Sequence, residues 1–512
     1  MHLRNVMKNV EMPHNEGRFS GNVSAICYNS RHCEKNSLFV AIPGLKVDGH
    51  HYIEDAITRG ARFIVHEKDY VAPPGVMAIR VKDSRRALGI MGRNFYKDPS
   101  SHLRLISVMG TNGKTTVTYM LESILEAAGY RVGVLGTVNY RFNNKVLPAP
   151  NTTPESYEMQ KILRLMVNEK ITHAIAEISS HAVDLKRVDD CAFDMGIFTN
   201  LSQDHLDYHG TMENYFQAKK RFFDEVLPSE EKSKKTMVVN GDDPWGQRLV
   251  KEVPKDLSLW TFGIDNVCDI TAEPLTLSLE GIKAKIHRGR SSFTISSPLI
   301  GLYNLYNMLA AVTAALSLNI PEKFIQIGLR KLKKVPGRLE KVSKPNEPVV
   351  FVDYAHTDDA IRRVLQNLST FGKKKIITLF GCGGDRDRGK RPLMGKAAAS
   401  SSDITIVTSD NPRTENPLSI IADIEKGIHE ISVKKFSPEV LNKHTSEKCY
   451  TVIPDREKAI EKAVSLASGS DIILIAGKGH ENYQIIGDKR IPFDDRKMAK
   501  AALASKRSEE AN

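Results

Sequence analysis

The sequence predicts an α/β protein of three domains, in which the two larger domains each contain a parallel sheet. The 512 residues exceed what one hydrophobic core usually organises, and this length suggests about three domains. Apolar runs of strand length alternate with helical patterns along most of the chain, which is typical of parallel sheets with helical crossovers. Turn-forming residues interrupt this alternation near Asp98-Pro99 and Pro336-Gly337. We therefore predict domains over residues 1–98, 99–335 and 336–512.

The composition is that of a globular protein, with 41% hydrophobic and 26% charged residues. The formal net charge is +12, which would suit either nucleic acid or small anionic ligands. The basic residues are scattered, and no long basic tract with interleaved aromatic residues occurs. Nucleic acid is therefore the less favoured partner. A basic protein that uses ATP while binding nucleic acid is the alternative from a different functional class.

Three features predict a soluble, cytoplasmic protein. The six cysteines show neither a CxxC pair nor the spacing of zinc ligands, as expected in a reducing compartment. The N-terminal residues lack the apolar segment of a signal peptide. The most apolar helical segment, residues 308–318, is shorter than the roughly 20 residues that a membrane span requires. We expect no membrane insertion.

The first domain is predicted to be a small α/β unit. Apolar runs over residues 37–42, 61–65 and 76–81 predict strands, and helical patterns cover residues 52–58 and 84–96. Two turns near these strands, at residues 29–31 and 43–49, contain residues that are common in turns, such as Gly, Pro, Asn, Asp and Ser. From the residues alone, turn formation is the favoured interpretation of both segments.

The central domain begins with an apolar strand followed by GTNGKTT, residues 110–116. A glycine turn between a strand and a helix directs backbone N–H groups and the positive end of the helix dipole at an anion. The full P-loop pattern has a glycine where this chain has Val108, so only the shorter form of the motif is present. We predict a phosphate-binding turn in which the Thr115 hydroxyl can reach a nucleotide-bound Mg²⁺.

Further strands of this domain are predicted at residues 131–137, 173–178, 195–199 and 236–239. Short strands over residues 257–297 precede helices at 304–318 and 322–332. Glu177 and His205 each follow a strand, and ligands of parallel sheets bind beyond the carboxyl ends of the strands. Together with Thr115 these side chains favour a metal–nucleotide centre, although histidine is an unusual ligand for Mg²⁺.

Lys219 lies on the apolar face of a predicted helix that begins after Thr211. A lysine on such a face must extend to solvent, pair with another charge or lose its own. Extension to solvent is the commoner outcome. The alternative is an amine whose pKa is low enough for chemical modification near the metal.

The third domain repeats the alternation and is predicted to be doubly wound and Rossmann-like. Strands are predicted at residues 349–353, 375–380, 404–408 and 472–475, an irregular connection at 430–448 and a frayed tail at 505–512. Turns at residues 381–391, 410–413 and 477–481 combine glycines or prolines with charges. Arginine can bind a carboxylate through two hydrogen bonds, and Asp or Glu can hold an ammonium group. A zwitterionic amino acid is therefore a natural ligand.

Nine motifs follow one another along the chain: GTNGKTT, EISSH, NLSQDHLDYHG, GLYNLYN, VPGRLE, FVDYAH, GCGGDRDRGKRPLMG, DNPR and GKGHE. In this combination the sequence resembles the Mur ligase family of peptidoglycan synthesis over essentially its whole length. The resemblance implies an N-terminal domain that holds a uridine nucleotide, a central ATPase domain and a C-terminal domain that brings an amino acid. It is greatest to members that add the third residue of the peptide, so the implied substrates are ATP, UDP-N-acetylmuramoyl-L-alanyl-D-glutamate and meso-diaminopimelate, used by a monomer.

The resemblance also implies roles for single residues. The nucleotide would be bound by Gly110, Thr111, Asn112, Gly113, Lys114, Thr115, Thr116, Asn304, Asn307, Arg338 and Asp353. Mg²⁺ would be surrounded by Thr115, Glu177, His205 and Lys219, with Lys219 carbamylated and Lys114, Lys219 and His205 catalytic. The UDP-sugar peptide would contact Tyr28, Ser30, Leu45, Lys46, Val47, Asn151, Thr152, Thr153, Ser179, Leu185 and Arg187. The amino acid would contact Arg386, Asp410, Asn411, Pro412, Arg413, Gly477 and Glu481.

Two positions depart from the family pattern: Leu185, where a glutamine is common, and Asp358, where a proline is common. The DNPR form is associated with meso-diaminopimelate, whose distal carboxylate Arg413 would bind. The implied reaction activates a carboxylate as an acyl phosphate, which the amine of the amino acid then attacks. Alternatives within the enzymes are the same ligase acting on L-lysine and a folylpolyglutamate synthetase; the region around Ser30 and the DNPR motif argue against the second.

Overall fold

The computed structural model describes residues 1–13, 19–44, 47–228, 232–252, 254, 256–372, 374–442 and 445–511, with side chains described to residue 508. The predicted contacts of Leu45 and Lys46 therefore lie outside the described residues. Sheets of four, eleven and seven strands follow one another along the chain, which confirms the predicted α/β class with three domains. The boundaries at residues 98 and 335 remain predictions; each falls between two of these sheets.

The N-terminal sheet consists of four parallel strands in the order β1-β2-β3-β4. The strands are β1 (Ile26–Cys27), β2 (Leu38–Val40), β3 (Phe63–His66) and β4 (Met77–Arg80), and the helices are α1 (Leu3–Val6), α2 (Ile53–Thr58) and α3 (Ser84–Phe95). The three predicted strands and both predicted helices are confirmed. Strand β1 was not predicted, because two residues are too few to produce a hydrophobic pattern.

The central sheet has the order β15-β14-β13-β12-β11-β10-β5-β9-β6-β7-β8. Its strands are β5 (Arg104–Met109), β6 (Val132–Leu135), β7 (Tyr140–Phe142), β8 (Lys145–Leu147), β9 (His173–Glu177), β10 (Met195–Phe198), β11 (Thr236–Asn240), β12 (Ser258–Gly263), β13 (Ile270–Ser278), β14 (Gly281–Arg288) and β15 (Ser291–Ser297). Its helices are α4 (Lys114–Ala127), α5 (Ser156–Asn168), α6 (Ser180–Asp184), α7 (Leu206–His209), α8 (Met212–Arg221), α9 (Pro244–Glu252), α10 (Leu302–Ser317) and α11 (Glu322–Lys331). The strands from β13 to β6 in this order are parallel, and antiparallel strands extend both edges.

The predicted strands of the central domain are confirmed, with one correction. The strands predicted to be short over residues 257–297 include β13, β14 and β15, which have 9, 8 and 7 residues. Strands β14 and β15 alternate buried and exposed side chains, and most side chains of β13 are exposed, so polar residues break the apolar runs by which strand length was judged.

Strand β5 lies between β10 and β9 near the middle of the sheet. Ile106 and Val108 pack into a core with α4 and α10, while Leu105 and Met109 pack into a second core with α5 and α8, as alternation along a strand requires. Val108, the departure from the full P-loop pattern, is completely buried. The turn after β5 therefore leaves a strand that is packed on both faces.

The C-terminal sheet has the order β16-β17-β22-β18-β19-β21-β20, and only β16 is antiparallel to its neighbour. The strands are β16 (Glu340–Lys341), β17 (Val349–Asp353), β18 (Ile376–Phe380), β19 (Ile404–Val407), β20 (Lys434–Lys435), β21 (Cys449–Val452) and β22 (Ile472–Ala476), followed by the hairpin β23 (Tyr483–Ile486) and β24 (Lys489–Pro492). The helices are α12 (Asp358–Ser369), α13 (Lys390–Ser401), α14 (Pro417–His429), α15 (Arg456–Leu466) and α16 (Asp495–Ala511).

Two predictions for this domain are wrong. Residues 430–448 are not wholly irregular, because they contain β20, which extends the sheet edge through β21. The expected frayed tail at residues 505–511 is the end of α16. Leu503 on this helix is buried in the core, and Lys506 Nζ donates to the carbonyl of Val464 at 3.0 Å. Contacts distant in sequence thus hold a polar segment in a helix. None of the helices in the described part of the chain is long and apolar enough to cross a membrane.

A buried ion pair joins α15 to α16. Arg456 Nε and Nη2 each lie 2.8 Å from a carboxylate oxygen of Asp495, and both side chains are 0% exposed. Arg456 also donates to the carbonyl of Ala476 at the end of β22. The pair therefore fixes the last helix beside the end of a central strand.

We expect Asp495→Ala to lower the free energy of unfolding of the C-terminal domain by about 3–5 kcal/mol, because it leaves the Arg456 guanidinium buried without its counterion. Urea denaturation would measure the change. The control is Glu430→Ala, which breaks the exposed pair of Lys396 and Glu430 and should cost less than about 1 kcal/mol. Similar small losses in both variants would contradict this prediction.

Candidate active site

The predicted phosphate-binding turn, residues 110–116, is named the phosphate-type turn and runs from the end of β5 into the first turn of α4. Close contacts require glycine at two of its positions. Gly110 has φ +143° and Gly113 has φ +88°, conformations that side chains disfavour. A Cβ atom on Gly110 would lie 1.9 Å from Thr199 Oγ1, and one on Gly113 would lie 2.2 Å from Asn307 Oδ1. Lys114 Nζ donates to the carbonyls of Gly110 and Thr111 at 2.8 and 2.9 Å. These two hydrogen bonds from Lys114 fix the backbone conformation of the turn at the N-terminus of α4.

Other bonds fix the remaining residues of the turn. The Thr111 hydroxyl lies within hydrogen-bond distance of the Ser202 carbonyl and the Tyr215 hydroxyl. The backbone N–H of Asn112 donates to Asn200 Oδ1 at 3.0 Å. Thr116 is buried in the first turn of α4. The segment of residues 199–202, which follows β10, therefore forms hydrogen bonds that stabilise the turn.

Glu177, at the end of β9, accepts three hydrogen bonds around the first turn of α4. Its Oε2 accepts from Thr115 Oγ1 at 3.0 Å and from Thr137 Oγ1 at 2.8 Å, and its Oε1 accepts from the Thr137 backbone N–H at 3.0 Å. Glu177 is 1% exposed. A Cβ atom on Gly136 would lie 2.3 Å from its Oε1, so the carboxylate is confined on that side as well.

The residues expected around Mg²⁺ supply suitable oxygen donors but do not enclose an ion by themselves. Thr115 and Glu177 are adjacent, and their hydroxyl and carboxylate oxygens are the ligands that Mg²⁺ prefers. Among the described residues no group of three or more His, Cys, Asp or Glu side chains is placed to hold a metal. Mg²⁺ commonly takes one or two carboxylates and completes its shell with water and substrate phosphates. The donor set fits that arrangement.

Lys219 is the buried lysine that the helical pattern indicated. It is 1% exposed on α8, and its Nζ lies 3.3 Å from the carbonyl of Gly110 in the phosphate-type turn. The ammonium also lies 4.8 Å from the centre of the Tyr215 ring. Burial, followed by the charge of Lys114, holds the pKa of Lys219 well below its ordinary value. The side chain does not extend to solvent, so the commoner interpretation of this lysine is wrong.

His205 directly precedes α7 and has φ +55°, and its Nε2 lies 3.3 Å from Asp204 Oδ2. Its ring is 4.9 Å from the ring of His181. Burial, opposed by the charge of Asp204, lowers the pKa of His205 to about 4. The imidazole is therefore neutral near pH 7 and has a lone pair free to act as a ligand.

The predicted nucleotide residues of α10 and β17 are buried and well ordered by hydrogen bonds. Asn304 Oδ1 accepts from Asn307 Nδ2 at 3.0 Å, and Asn304 Nδ2 donates to the carbonyl of Ile300. Asp353 accepts from the backbone N–H groups of Leu339 and Ala355 at 2.6 and 2.8 Å. Burial raises the pKa of Asp353, and Arg338 opposes this effect. Asn307 directly adjoins Gly113, which places this group beside the turn.

Arg338 joins the central site to the C-terminal domain. Its Nη2 donates to Thr115 Oγ1 at 3.1 Å, and its guanidinium lies 4.7 Å from the centre of the Tyr354 ring. The Tyr354 ring is 5.1 Å from that of His480 in the GKGHE motif. Next to Arg338, a Cβ atom on Gly337 would lie 2.1 Å from the His480 nitrogen. The first turn of α4 is thus connected through one arginine to the loop after β22.

The residues expected to meet the uridine end lie on the first domain. The Tyr28 hydroxyl donates to Glu158 Oε2 of α5 at 2.8 Å, a contact between domains. Ser30 is 4% exposed in a short 3-10 helix, and Val47 is 52% exposed. Tyr28 is partly buried whereas Val47 is exposed, so the two side chains differ in surroundings.

The residues expected at the sugar and peptide lie around the end of β9 and the start of α5. Thr152 Oγ1 is 3.1 Å from Thr137 Oγ1, and Thr153 Oγ1 donates to the carbonyl of Glu177. Arg187 Nε lies 3.3 Å from Glu155 Oε2. The other members are Asn151, whose carbonyl accepts from Tyr140; Ser179, which caps α6; and Leu185, which follows α6. This set adjoins the Glu177 cluster through the two threonines.

In the C-terminal domain the DNPR and GKGHE loops contact each other. Asn411 Nδ2 donates to Glu481 Oε2 at 2.9 Å, and a Cβ atom on Gly477 would lie 2.8 Å from Asp410 Oδ2. A Cβ atom on Gly383 would lie 3.0 Å from Arg413 Nη1 and 3.7 Å from Arg386 Cγ. The carbonyl of Pro412 packs against Gly384. The seven residues expected to meet the amino acid are therefore brought to one region by three separate turns.

Several residues of this site were not found from the sequence. Thr137 holds both oxygens of Glu177, Asp204 pairs with His205, and Lys478 lies between Asn411 and Glu481. Asp204 and Lys478 lie within motifs that the sequence analysis singled out, so proximity to a predicted residue was an available signal. Thr137 had no such signal, because its role depends on the pairing of β6 with β9, which brings the ends of two strands side by side.

The fold and this turn define an α/β protein of the P-loop type with two additional domains. Three domain descriptions match successive parts of the chain: "Mur ligase family, catalytic domain" at residues 22–96, "Mur ligase middle domain" at 108–315 and "Mur ligase, glutamate ligase domain" at 337–479. The chain is 42% identical over 511 residues to the UDP-N-acetylmuramoyl-L-alanyl-D-glutamate–2,6-diaminopimelate ligase of Geobacter sulfurreducens, covering 100% of both proteins. The chain belongs to the Mur ligase family, and the resemblance based on its nine motifs is confirmed.

Solved structures agree with this placement. A structure of a UDP-N-acetylmuramoyl-L-alanyl-D-glutamate–2,6-diaminopimelate ligase superposes with a TM-score of 0.68 at 31% identity and covers 99% of each chain. The MurF ligase of Thermotoga maritima, solved in complex with ADP, superposes with a TM-score of 0.61 at 19% identity, covering 94% of this chain and 98% of that chain. The second similarity concerns the fold alone.

Proposed function

We propose that this protein is an ATP-dependent ligase that joins meso-diaminopimelate to UDP-N-acetylmuramoyl-L-alanyl-D-glutamate. The observation that carries the proposal is the position of Arg338, which contacts Thr115 of the phosphate-type turn and, through the Tyr354 ring, adjoins His480 in the loop that contains Glu481. A ligase that activates one substrate with ATP and transfers it to an amine needs these two sites side by side. The similarity to the named ligases over the full chain supports the same substrates.

In the proposed reaction an oxygen of the D-glutamyl γ-carboxylate attacks the γ-phosphorus of ATP, giving an acyl phosphate and ADP. The α-amine of diaminopimelate then attacks the acyl carbon, loses a proton and expels phosphate as the amide forms. Lys114 lies in the turn that would receive the ATP phosphates, where its charge offsets the charge that develops on the transferred group. Asn304, Asn307 and Asp353 would position the rest of the nucleotide.

Thr115, Glu177, His205 and a carbamylated Lys219 would hold Mg²⁺. When bound, the ion would neutralise negative charge on phosphate oxygens. The lowered pKa of Lys219 favours the neutral amine that reacts with carbon dioxide, and a carbamate would replace this amine by an anionic oxygen ligand. Thr137 keeps Glu177 oriented by donating to both of its oxygens.

The UDP-sugar peptide would lie between the first and central domains, near Tyr28, Ser30, Val47, Thr153 and Arg187. The remaining contacts proposed on this side are Asn151, Thr152, Ser179 and Leu185. The amino acid would lie against the C-terminal loops, with Arg413 and Arg386 available to its carboxylates and Asp410 and Glu481 available to its ammonium groups. Both arginine side chains adjoin Gly383, so either is available to a carboxylate bound at this turn.

The test is phosphate release from ATP in the presence of UDP-N-acetylmuramoyl-L-alanyl-D-glutamate and, separately, meso-diaminopimelate, L-lysine or neither. We expect sustained turnover and an amide product only with diaminopimelate. Turnover with lysine and not with diaminopimelate would overturn the choice of amino acid. ATP hydrolysis stimulated by DNA in a salt-dependent manner, without amide formation, would overturn the proposal as a whole.

We expect Arg413→Ala to raise the KM for diaminopimelate roughly 10- to 100-fold, because a charge-assisted hydrogen bond to the substrate is lost. The KM for ATP should stay within about twofold. Initial-rate kinetics with each substrate varied in turn would measure both. The control is Arg388→Ala, an exposed arginine of a neighbouring turn that pairs with Glu415. Equal effects of the two variants on diaminopimelate use would contradict the assignment of Arg413.

A further inference from the structure

Lys478 is a completely buried lysine in the GKGHE motif, between the two loops that are proposed to bind the amino acid. Its side chain is 0% exposed. Its Nζ lies 3.1 Å from Asn411 Oδ1 and 3.1 Å from Glu481 Oε2. The Tyr483 ring centre is 5.5 Å away. Burying an ammonium group is costly unless the group is paired and hydrogen-bonded. Asn411 and Glu481 supply these partners for Lys478.

The hydrogen bonds around Lys478 determine which way the Asn411 amide faces. Asn411 Oδ1 accepts from Lys478 Nζ and from the backbone N–H of Ile485 at 3.0 Å. With its oxygen so occupied, the amide presents Nδ2 to Glu481 Oε2 at 2.9 Å. Glu481 Oε2 therefore has two donors from one side. The orientation of both side chains depends on the ammonium that touches them both.

The same contacts connect three separate segments of the chain. Lys478 and Glu481 belong to the loop after β22, Asn411 to the loop after β19, and Ile485 to the hairpin strand β23. Gln484 adds a bond to the carbonyl of Asp410 at 2.8 Å, and the backbone N–H of Arg413 donates to the carbonyl of Ile485 at 3.0 Å. Lys478 is the charged group at the centre of this junction.

We propose that Lys478 is a positioning residue for the amino-acid substrate: it orients Asn411, and together they hold Glu481, whose carboxylate is the preformed acceptor for the incoming amine. This inference rests on the proposed function, because it assumes that the amino acid binds at these loops. Lys478 acts through its two neighbours and makes no contact with the reacting atoms. Preorganised acceptors bind a ligand more tightly because less side-chain ordering remains to be done on binding.

The experiment is steady-state kinetics of the full chain with Lys478→Met, which keeps the length of the side chain and removes its charge and donors. We expect the KM for diaminopimelate to rise at least about tenfold, as for a lost charged hydrogen bond. The KM values for ATP and for the UDP-sugar peptide should change less than about threefold. Lys396→Met, on the exposed face of α13, is the matched control and should leave all three values unchanged.

A double-mutant cycle tests whether Lys478 acts through Asn411. If it does, Lys478→Met combined with Asn411→Ala should raise the KM for diaminopimelate much less than the product of the two single effects. Multiplicative effects would overturn the route through Asn411. Lys478→Gln keeps one donor without the charge and serves if the methionine variant does not fold. Loss of ATP binding in both Lys478 variants would show a role in folding only and would also overturn the proposal.

The outcome for the unaltered protein separates the two proposals. If the unaltered chain does not use diaminopimelate, the proposed function is wrong. If it uses diaminopimelate and Lys478→Met has the same KM for it, the proposed function stands and the positioning role of Lys478 is wrong.

Discussion

Lys114→Met should lower kcat for ligation by roughly 10²- to 10³-fold or more, the range seen when one preorganised charge or donor is removed from a transition state. Lys114 is the cation of the phosphate-type turn, and its Nζ already lies within 2.9 Å of two carbonyls of that turn. Its charge stabilises the transferred phosphoryl group only if ATP occupies this turn. Phosphate release under saturating substrates would measure the change.

The matched control for Lys114 is Lys251→Met, an exposed lysine near the end of α9 in the same domain. It should leave kcat within about twofold, as expected for a surface position away from the site. Thermal unfolding of both variants would confirm that each is folded. A Lys114→Met enzyme that keeps most of its kcat would remove the phosphate-type turn from the mechanism.

Lys219→Met should also lower kcat by about 10²-fold or more, because it removes the group proposed to become an anionic metal ligand. Its effect on stability should be small or favourable. Lys219 is 1% exposed, and within the described part of the chain its Nζ donates one hydrogen bond, 3.3 Å long, so an apolar side chain of similar length suits the surroundings. A large loss of activity without a loss of stability is therefore the expected signature.

Lys220→Met is the control for Lys219, because the adjacent lysine forms a partly buried pair with Asp224 and takes no part in the proposed site. A second measurement tests the carbamate directly. The unaltered enzyme should lose activity in buffer freed of carbon dioxide and regain it with bicarbonate, and Lys219→Met should not respond. Full activity of the unaltered enzyme without carbon dioxide would rule out the carbamate, whatever the variant shows.

The sequence predicted the parallel-sheet strands because they are short apolar runs bounded by turn residues. Strands β5, β9, β10 and β11 were found in this way and are buried on both faces. The antiparallel edge strands β13 to β15 were found but judged too short, since half of their side chains face solvent. The last residues of helix α16 were predicted to be a frayed tail, because they are polar. They are held in the helix by the hydrogen bond from Lys506 to the Val464 carbonyl and by the burial of Leu503 in the core.

Part of the candidate site also followed from the sequence. The helical spacing alone placed Lys219 on an apolar face, and the structure buries it there. The positions of Thr115, Glu177 and His205 at strand ends followed from the alternation of strands and helices. In contrast, the contact of Arg338 with Thr115 joins residues 223 positions apart, and no local pattern indicates it.

By itself the sequence determined the α/β class, the phosphate-type turn and the membership of a family of ligases, because these depend on local hydrophobic period, glycine positions and the order of motifs. Only the tertiary structure decided which polar groups share a site. Thr137 reaches Glu177, Arg338 reaches Thr115, and Lys478 reaches Asn411. Hydrogen bonds and ion pairs of this kind require atoms within about 3 Å, and that proximity is created by packing of segments far apart in the chain.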